Sequence, residues 1–184
     1  MLPEISLNVL DVVQNSIVAN ATLIKITVEK SNEKEILCVL IEDNGCGMTK
    51  EQVEAVYDPF YTSRTTRKVG LGIPFFKQAA ELTGGSLTVE SKVNEGTKVT
   101  AVFNTDSIDC MPLGDINDTI FNLVTMNEGV DFVYRFSVDG KSFVMDTREM
   151  REILGDVSFR IPEVSEFIRS YLAENEAEVL KGEA

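Results

Sequence analysis

The 184 residues are 43% hydrophobic, enough for a packed domain and too many for a disordered chain. No apolar run approaches the roughly 18 residues of a membrane span, and no basic-then-apolar leader opens the sequence, so a cytoplasmic protein with no membrane partner is expected. The net charge of −13 argues against nucleic-acid binding driven by counterion release, and the lack of histidine rules out a histidine metal site, a Ser-His triad and self-phosphorylation on histidine.

Residues 4–19 read as a helix, with Ile5, Val9, Val12, Val13 and Ser16 or Ile17 forming a stripe at helical spacing. Asn20-Ala21-Thr22 breaks it. Residues 23–30 and 35–42 read as the two strands of a hairpin around Ser31-Asn32-Glu33-Lys34. Thr49 with Gln52 three residues on predicts a capped short helix to about Val56. Residues 58–69 show no period and read as a loop of functional length. Pro74 is expected to open the next helix, which stops at Gly84-Gly85. Residues 86–92 and 97–104 read as a second hairpin.

This order predicts an α+β fold, a two-layer sandwich of a mixed, mainly antiparallel sheet with helices on one face. The expected division is a domain over 1–104, a linker over 105–114, and a small acidic α/β unit over 115–184. Within that unit a helix over 115–128, a hairpin around Asp139-Gly140, a helix capped by Thr147 and a last helix from Pro162 are expected. The first 104 residues carry a net charge of −3 and the remaining 80 carry −10. So small a unit is expected to pack on the first domain or on a second copy, which is compatible with a homodimer. The three cysteines, odd in number and unevenly spaced, are expected to be reduced thiols.

Four segments carry possible chemistry. Asp43-Asn44-Gly45-Cys46-Gly47-Met48 ends a strand with a carboxylate able to accept from an amine and glycines that let a flat ring approach the backbone. The bland alternative is an ordinary tight turn. Asp11 and Asn15 share one helix face, with Asn8 a turn earlier. That face serves either a hydrated Mg²⁺ or solvent. Gly70-Leu71-Gly72 before a helix start is either an anion site or a plain glycine turn, with Arg64, Arg67 and Lys68 just upstream. Gly96-Thr97 reads as a hairpin turn. Phe60 and Tyr61 are either a latch over a site or core anchors.

In this order and spacing the segments resemble the histidine-kinase-like ATPase superfamily, which includes the gyrase, heat-shock chaperone, MutL and sensor-kinase ATP-binding domains. LDVVQNSIVANAT resembles the asparagine box, DNGCGM the first glycine box, DPFYTSR the sensor-kinase F box, VGLGIPFFKQAAELTGGSLTVES the second glycine box, and NEGTKVTAVF the closing Gly-Thr segment. The resemblance covers about residues 4–104 and is closest to the sensor-kinase catalytic domain. It implies a Bergerat-type ATP-binding fold with ATP and Mg²⁺ as cofactors. It implies that Asn15 ligands the metal, that Asp43 binds the adenine amine, and that Gly45, Gly47 and Met48 shape the base pocket. Gly70, Leu71 and Gly72 would meet phosphates through backbone amides, Arg64 and Lys68 would contact them from the lid, and Thr97 would close the adenine side.

Two departures stand out. Asp11 occupies the place where the gyrase and MutL branches carry a general-base Glu, and Lys68 replaces the first glycine of the second glycine box. Asp11 is the candidate catalytic residue. The expected function is a stand-alone Mg-ATP-dependent protein kinase or regulatory subunit in bacterial-type signalling, acting on another protein. The alternative is an ATP-dependent conformational switch with little turnover.

Overall fold

The computed structural model describes residues 2–61 and 71–182. Six strands form one mixed sheet: β1 (Leu23–Ser31), β2 (Ile36–Asp43), β3 (Ser86–Lys92), β4 (Gly96–Asn104), β5 (Asp131–Val138) and β6 (Lys141–Asp146). Their order is β3-β4-β2-β1-β5-β6. Every neighbouring pair is antiparallel except β1 with β5, which run parallel. The helices are α1 (Ile5–Val18), α2 (Lys50–Ala55), α3 (Gly72–Leu82), α4 (Ile116–Met126), α5 (Thr147–Leu154) and α6 (Pro162–Leu180). The α+β sandwich expected from the sequence is the observed architecture.

Strand alternation explains where the core sits. Register aligns Val89, Val99, Ile41, Ile26, Tyr134 and Met145 in one row across all six strands. Leu87, Ala101, Val39, Val28, Phe136 and Phe143 form the next row, and every member of both rows is buried. Side chains two apart on a strand share a face, so both rows face the same layer. The layer above them includes Ile5, Val9, Val12 and Val13 of α1, Ile73 and Phe76 of α3, and Ile120 and Leu123 of α4. Full burial of each such side chain is worth about 1.5–3 kcal/mol, which is what drives the helices onto this face.

The segments after residue 104 extend the same layers. β5 joins β1 in parallel through Ile24 with Phe132, Ile26 with Tyr134 and Val28 with Phe136. Residues 105–114 contain no helix or strand, yet they cap α1: Ile5 N and Ser6 N donate to Pro112 O and Leu113 O. Those amides would otherwise be unsatisfied helix-terminal donors, since Glu4 at the N-cap position offers no side-chain bond. The Asp139-Gly140 turn has φ of 48° and 85°, the left-handed pair that a two-residue hairpin requires.

Two local expectations are corrected. α3 begins at Gly72, so Pro74 lies inside the first turn, where its missing N–H breaks no helical bond. Asp146, rather than Thr147, caps α5 by accepting from Arg148 N. Thr147 is fully buried and its hydroxyl instead accepts from Phe132 N of β5. Among the described residues no helix is long and apolar enough to cross a membrane.

Candidate functional site

One end of the sheet opens into a cavity of about 230 Å³. Its walls come from α1 (Val12, Asn15, Ser16), the turn after β2 (Cys46, Gly47, Met48), α2 (Gln52), α3 (Ile73) and the strands (Val89, Val99). Asp43 and Thr97 complete it from neighbouring positions on β2 and β4. The valines and Ile73 make most of the surface apolar, and the polar groups are few and grouped. That combination suits a flat, largely apolar ligand held by a small number of directed hydrogen bonds.

The Asp43 carboxylate is fixed from two sides. Gly45 N donates to Oδ1 at 2.8 Å, and the Ser16 hydroxyl donates to Oδ2 at 2.6 Å. Ser16 is buried on α1, so the second bond ties helix to strand end. Next to Asp43 in register is Thr97, and next to Thr97 is Ser91, whose hydroxyl also accepts from Met48 N. The turn itself is held by Cys46 N on Ala19 O and by Asn94 N on Cys46 O.

Glycine is required at 47. Its φ is +66°, and a Cβ there would sit 1.9 Å from Lys92 O. At 45 an added Cβ would lie 2.9 Å from both Ala19 Cβ and Ala19 O. The backbone can therefore run close to α1 and leave the cavity open.

Asp11 and Asn15 do not simply face solvent. The start of α3 abuts them: a Cβ on Gly72 would lie 3.3 Å from Asp11 Cβ and 3.7 Å from Asn15 Nδ2. Asn15 reaches the cavity and Asp11 does not line it. Asp11 keeps an exposed surface, but partial burial raises its carboxyl pKa above the usual aspartate value. α3 has no side-chain cap, and Leu71 at its N-cap position is 44% exposed. Among the described residues no side chain caps its first amides, so they can serve another acceptor.

The structure brings Asn15, Asp43, Gly47, Met48 and Thr97 onto one cavity and places Gly45 and Gly72 directly behind it. Leu71 lies at the start of α3, outside the wall. Arg64, Lys68 and Gly70 lie outside the described residues. Tyr61 lines the cavity, whereas Phe60 is 90% exposed, so neither is a core anchor. No sequence motif marks Ser16, Gln52 or Ser91 as part of the site. The parity of β3 could have found Ser91, which shares a face with Leu87 and Val89. Gln52 was visible as a capping residue, and its Oε1 does accept from Thr49 N.

The six-stranded mixed sheet with its helical layer is the Bergerat-type fold of ATP-binding domains. Residues 4–107 match the sequence profile described as histidine kinase-, DNA gyrase B-, and HSP90-like ATPase, and the chain belongs to that family. It is similar to a probable C4-dicarboxylate sensor kinase of Bacillus subtilis, 35% identical over 80 residues. That stretch is 44% of this chain and 15% of the relative. It is also similar to the sensor protein ChvG of Agrobacterium fabrum, 37% identical over 76 residues, 39% of this chain and 13% of that protein. The chain thus spans about one seventh of the length of the curated relatives it matches. Among solved structures, the N terminal domain of a DNA repair protein matches with a TM-score of 0.57 at 15% identity. That likeness covers 86% of this chain and 59% of the other, and it concerns the fold.

Proposed function

We propose that the cavity takes ATP, with adenine at Asp43 and Thr97 and the phosphates toward Asn15 and the start of α3. The observation that carries this reading is that one cavity is lined by both Asp43 and Asn15. Asp43 would accept from the base amine, Gly47 and Met48 would flank the ring, and the uncapped amides of α3 would meet phosphate oxygens. The family resemblance implies phosphate contacts by Gly70, Arg64 and Lys68 as well.

Asn15 and Asp11 fit a magnesium site as a partial ligand set. Gly72 lies beside Asp11 Cβ and Asn15 Nδ2, and Asn15, which lines the cavity, would turn its amide oxygen to the metal with the Asp11 carboxyl one helical turn away. Among the described residues no group of three or more acidic or cysteine side chains could hold a metal. A cation there would need phosphate oxygens and water to complete its shell, as magnesium sites usually do. Mg²⁺ would supply charge neutralisation for the transferring phosphate.

The chain then acts as a Mg-ATP-dependent protein kinase or regulatory module in bacterial-type signalling. Its similarity to two sensor proteins supports this. A histidine acceptor would lie outside these 184 residues, which contain none. Asp11 would orient the incoming nucleophile. Incubation with γ-labelled ATP and candidate partner proteins tests the reading: label should pass to a protein, and Asp43→Asn should abolish it by weakening nucleotide binding. No ATP binding, or label released only as free phosphate, would sink it.

A second reading is a switch in which ATP changes a protein interface with little turnover. Asp11 is one methylene shorter than glutamate and does not line the cavity, which disfavours it as a base for water. ATP-dependent partner association that survives Asp11→Asn, without phosphate transfer, supports the switch.

A further inference from the structure

Ser91, Thr97 and Asp43 form one row across β3, β4 and β2, with Thr97 paired to Ser91 on one side and Asp43 on the other. Asp43 and Thr97 line the cavity; Ser91 does not. The Ser91 hydroxyl lies 2.8 Å from each of three groups: Met48 N, Gly96 O and Thr97 Oγ1. A hydroxyl has one proton and two lone pairs. An amide N–H can only donate and a carbonyl can only accept. The Ser91 proton is therefore committed to Gly96 O, and one lone pair to Met48 N–H. What remains for Thr97 is a lone pair, so the Thr97 proton is drawn to Ser91. Thr97 has only acceptor capacity left to offer the cavity. Asp43 is in the same condition, because its carboxylate already accepts from Gly45 N and from the Ser16 hydroxyl and has only lone pairs to spare.

We propose that Ser91 is a specificity-positioning residue: it holds Thr97 as an acceptor, so that Thr97 and Asp43 together select a 6-aminopurine nucleotide over a 6-oxopurine one. The inference rests on the adenine reading of the cavity and adds to it the residue that sets the direction of the Thr97 hydrogen bond. A 6-amino group donates to this floor, directly or through a water. A 6-oxo group meets lone pairs on both sides, and an acceptor facing an acceptor loses its water without replacement. Without the Ser91 hydroxyl, Thr97 can turn its proton to the cavity and serve the 6-oxo group.

The test is the ratio of Kd values for ATP and ITP, measured by calorimetry on the full chain and its variants. Ser91→Ala should narrow the preference for ATP about fivefold, the worth of one hydrogen bond. Ser91→Thr, which keeps the hydroxyl, should retain it. Thr97→Val should narrow the preference too, and adding Ser91→Ala to Thr97→Val should change the ratio no further. Equal weakening of ATP and ITP by Ser91→Ala would mean a purely structural role and overturns the proposal. If Ser91→Ala does not fold, Thr97→Val decides: an unchanged ratio overturns it. A wild-type chain that binds neither nucleotide overturns the adenine reading and this inference together. A wild-type preference that Asp43→Asn removes, but that Ser91→Ala and Thr97→Val leave intact, overturns this inference alone.

Discussion

The Ser16 hydroxyl donates to Asp43 Oδ2 at 2.6 Å, joining residues 27 apart in sequence. Ser16 is 3% exposed, so water cannot readily replace it as a partner. The bond orients the carboxylate that the cavity presents and ties α1 to β2. Ser16→Ala should lower stability by about 1.5–3 kcal/mol, the usual worth of a hydrogen bond to a charged group. It should also weaken ATP binding several-fold by freeing the Asp43 side chain. Thermal unfolding and calorimetric titration check the two effects separately. Unchanged affinity in a folded Ser16→Ala variant would show that Gly45 N alone holds Asp43 in place.

Gly47→Ala should be far more damaging than its size suggests. The substitution forces a side chain onto a φ of +66° and drives its Cβ against Lys92 O. Backbone cannot withdraw as a flexible side chain can, so a loss of more than about 2 kcal/mol is expected, read by urea unfolding. A variant within about 0.5 kcal/mol of the parent would place the turn elsewhere.

Asn15→Ala should cost magnesium-dependent ATP affinity more than metal-free affinity. The expected difference is about tenfold, comparable to losing one directed polar contact to a charged group. Titrations with Mg²⁺ and with a chelator give the comparison. Equal losses under both conditions contradict a ligand role for Asn15.

Glu176, on α6, has its carboxyl pushed above the ordinary glutamate value by burial, with repulsion from Asp115 adding to it and the Asn117 amide opposing it. Asn117 Nδ2 donates to it at 2.5 Å. A carboxyl with a raised folded-state pKa binds its proton more tightly when folded. Its contribution to stability is full below the ordinary glutamate pKa and is lost as pH rises through the folded value. Glu176→Gln keeps an acceptor for Asn117 and removes the charge, so it should raise Tm at pH 7. The gain should vanish as the pH is brought below the ordinary glutamate range. Calorimetry across pH checks it, and a gain that persists in acid would point to packing instead.

The elements were legible because their signals are local. A 3.6-residue stripe marks α1, alternation marks β1 to β4, and Thr49 with Gln52 marks α2. Asp43, Gly47 and Asn15 were legible for the same reason, since each sits in a short run whose chemistry depends on spacing alone. The order of segments was enough to suggest what is bound.

Tertiary structure alone decided the rest, because the deciding contacts join residues distant in the chain. No local pattern says that β5 lies parallel to β1, since parallel pairing depends on which edge is free once the hairpins have closed. None says that Gly72 comes to rest against Asp11 and Asn15, which turns a polar helix face into one wall of a site. Ser91 meets Met48 across 43 residues, and only the shared row on the sheet brings its hydroxyl to Thr97. The sequence by itself determined that a polar Asp11/Asn15 helix face, the Asp43–Met48 turn and a helix start occur in that order. The fold decided that they surround one cavity, and which protons are already committed before a ligand arrives.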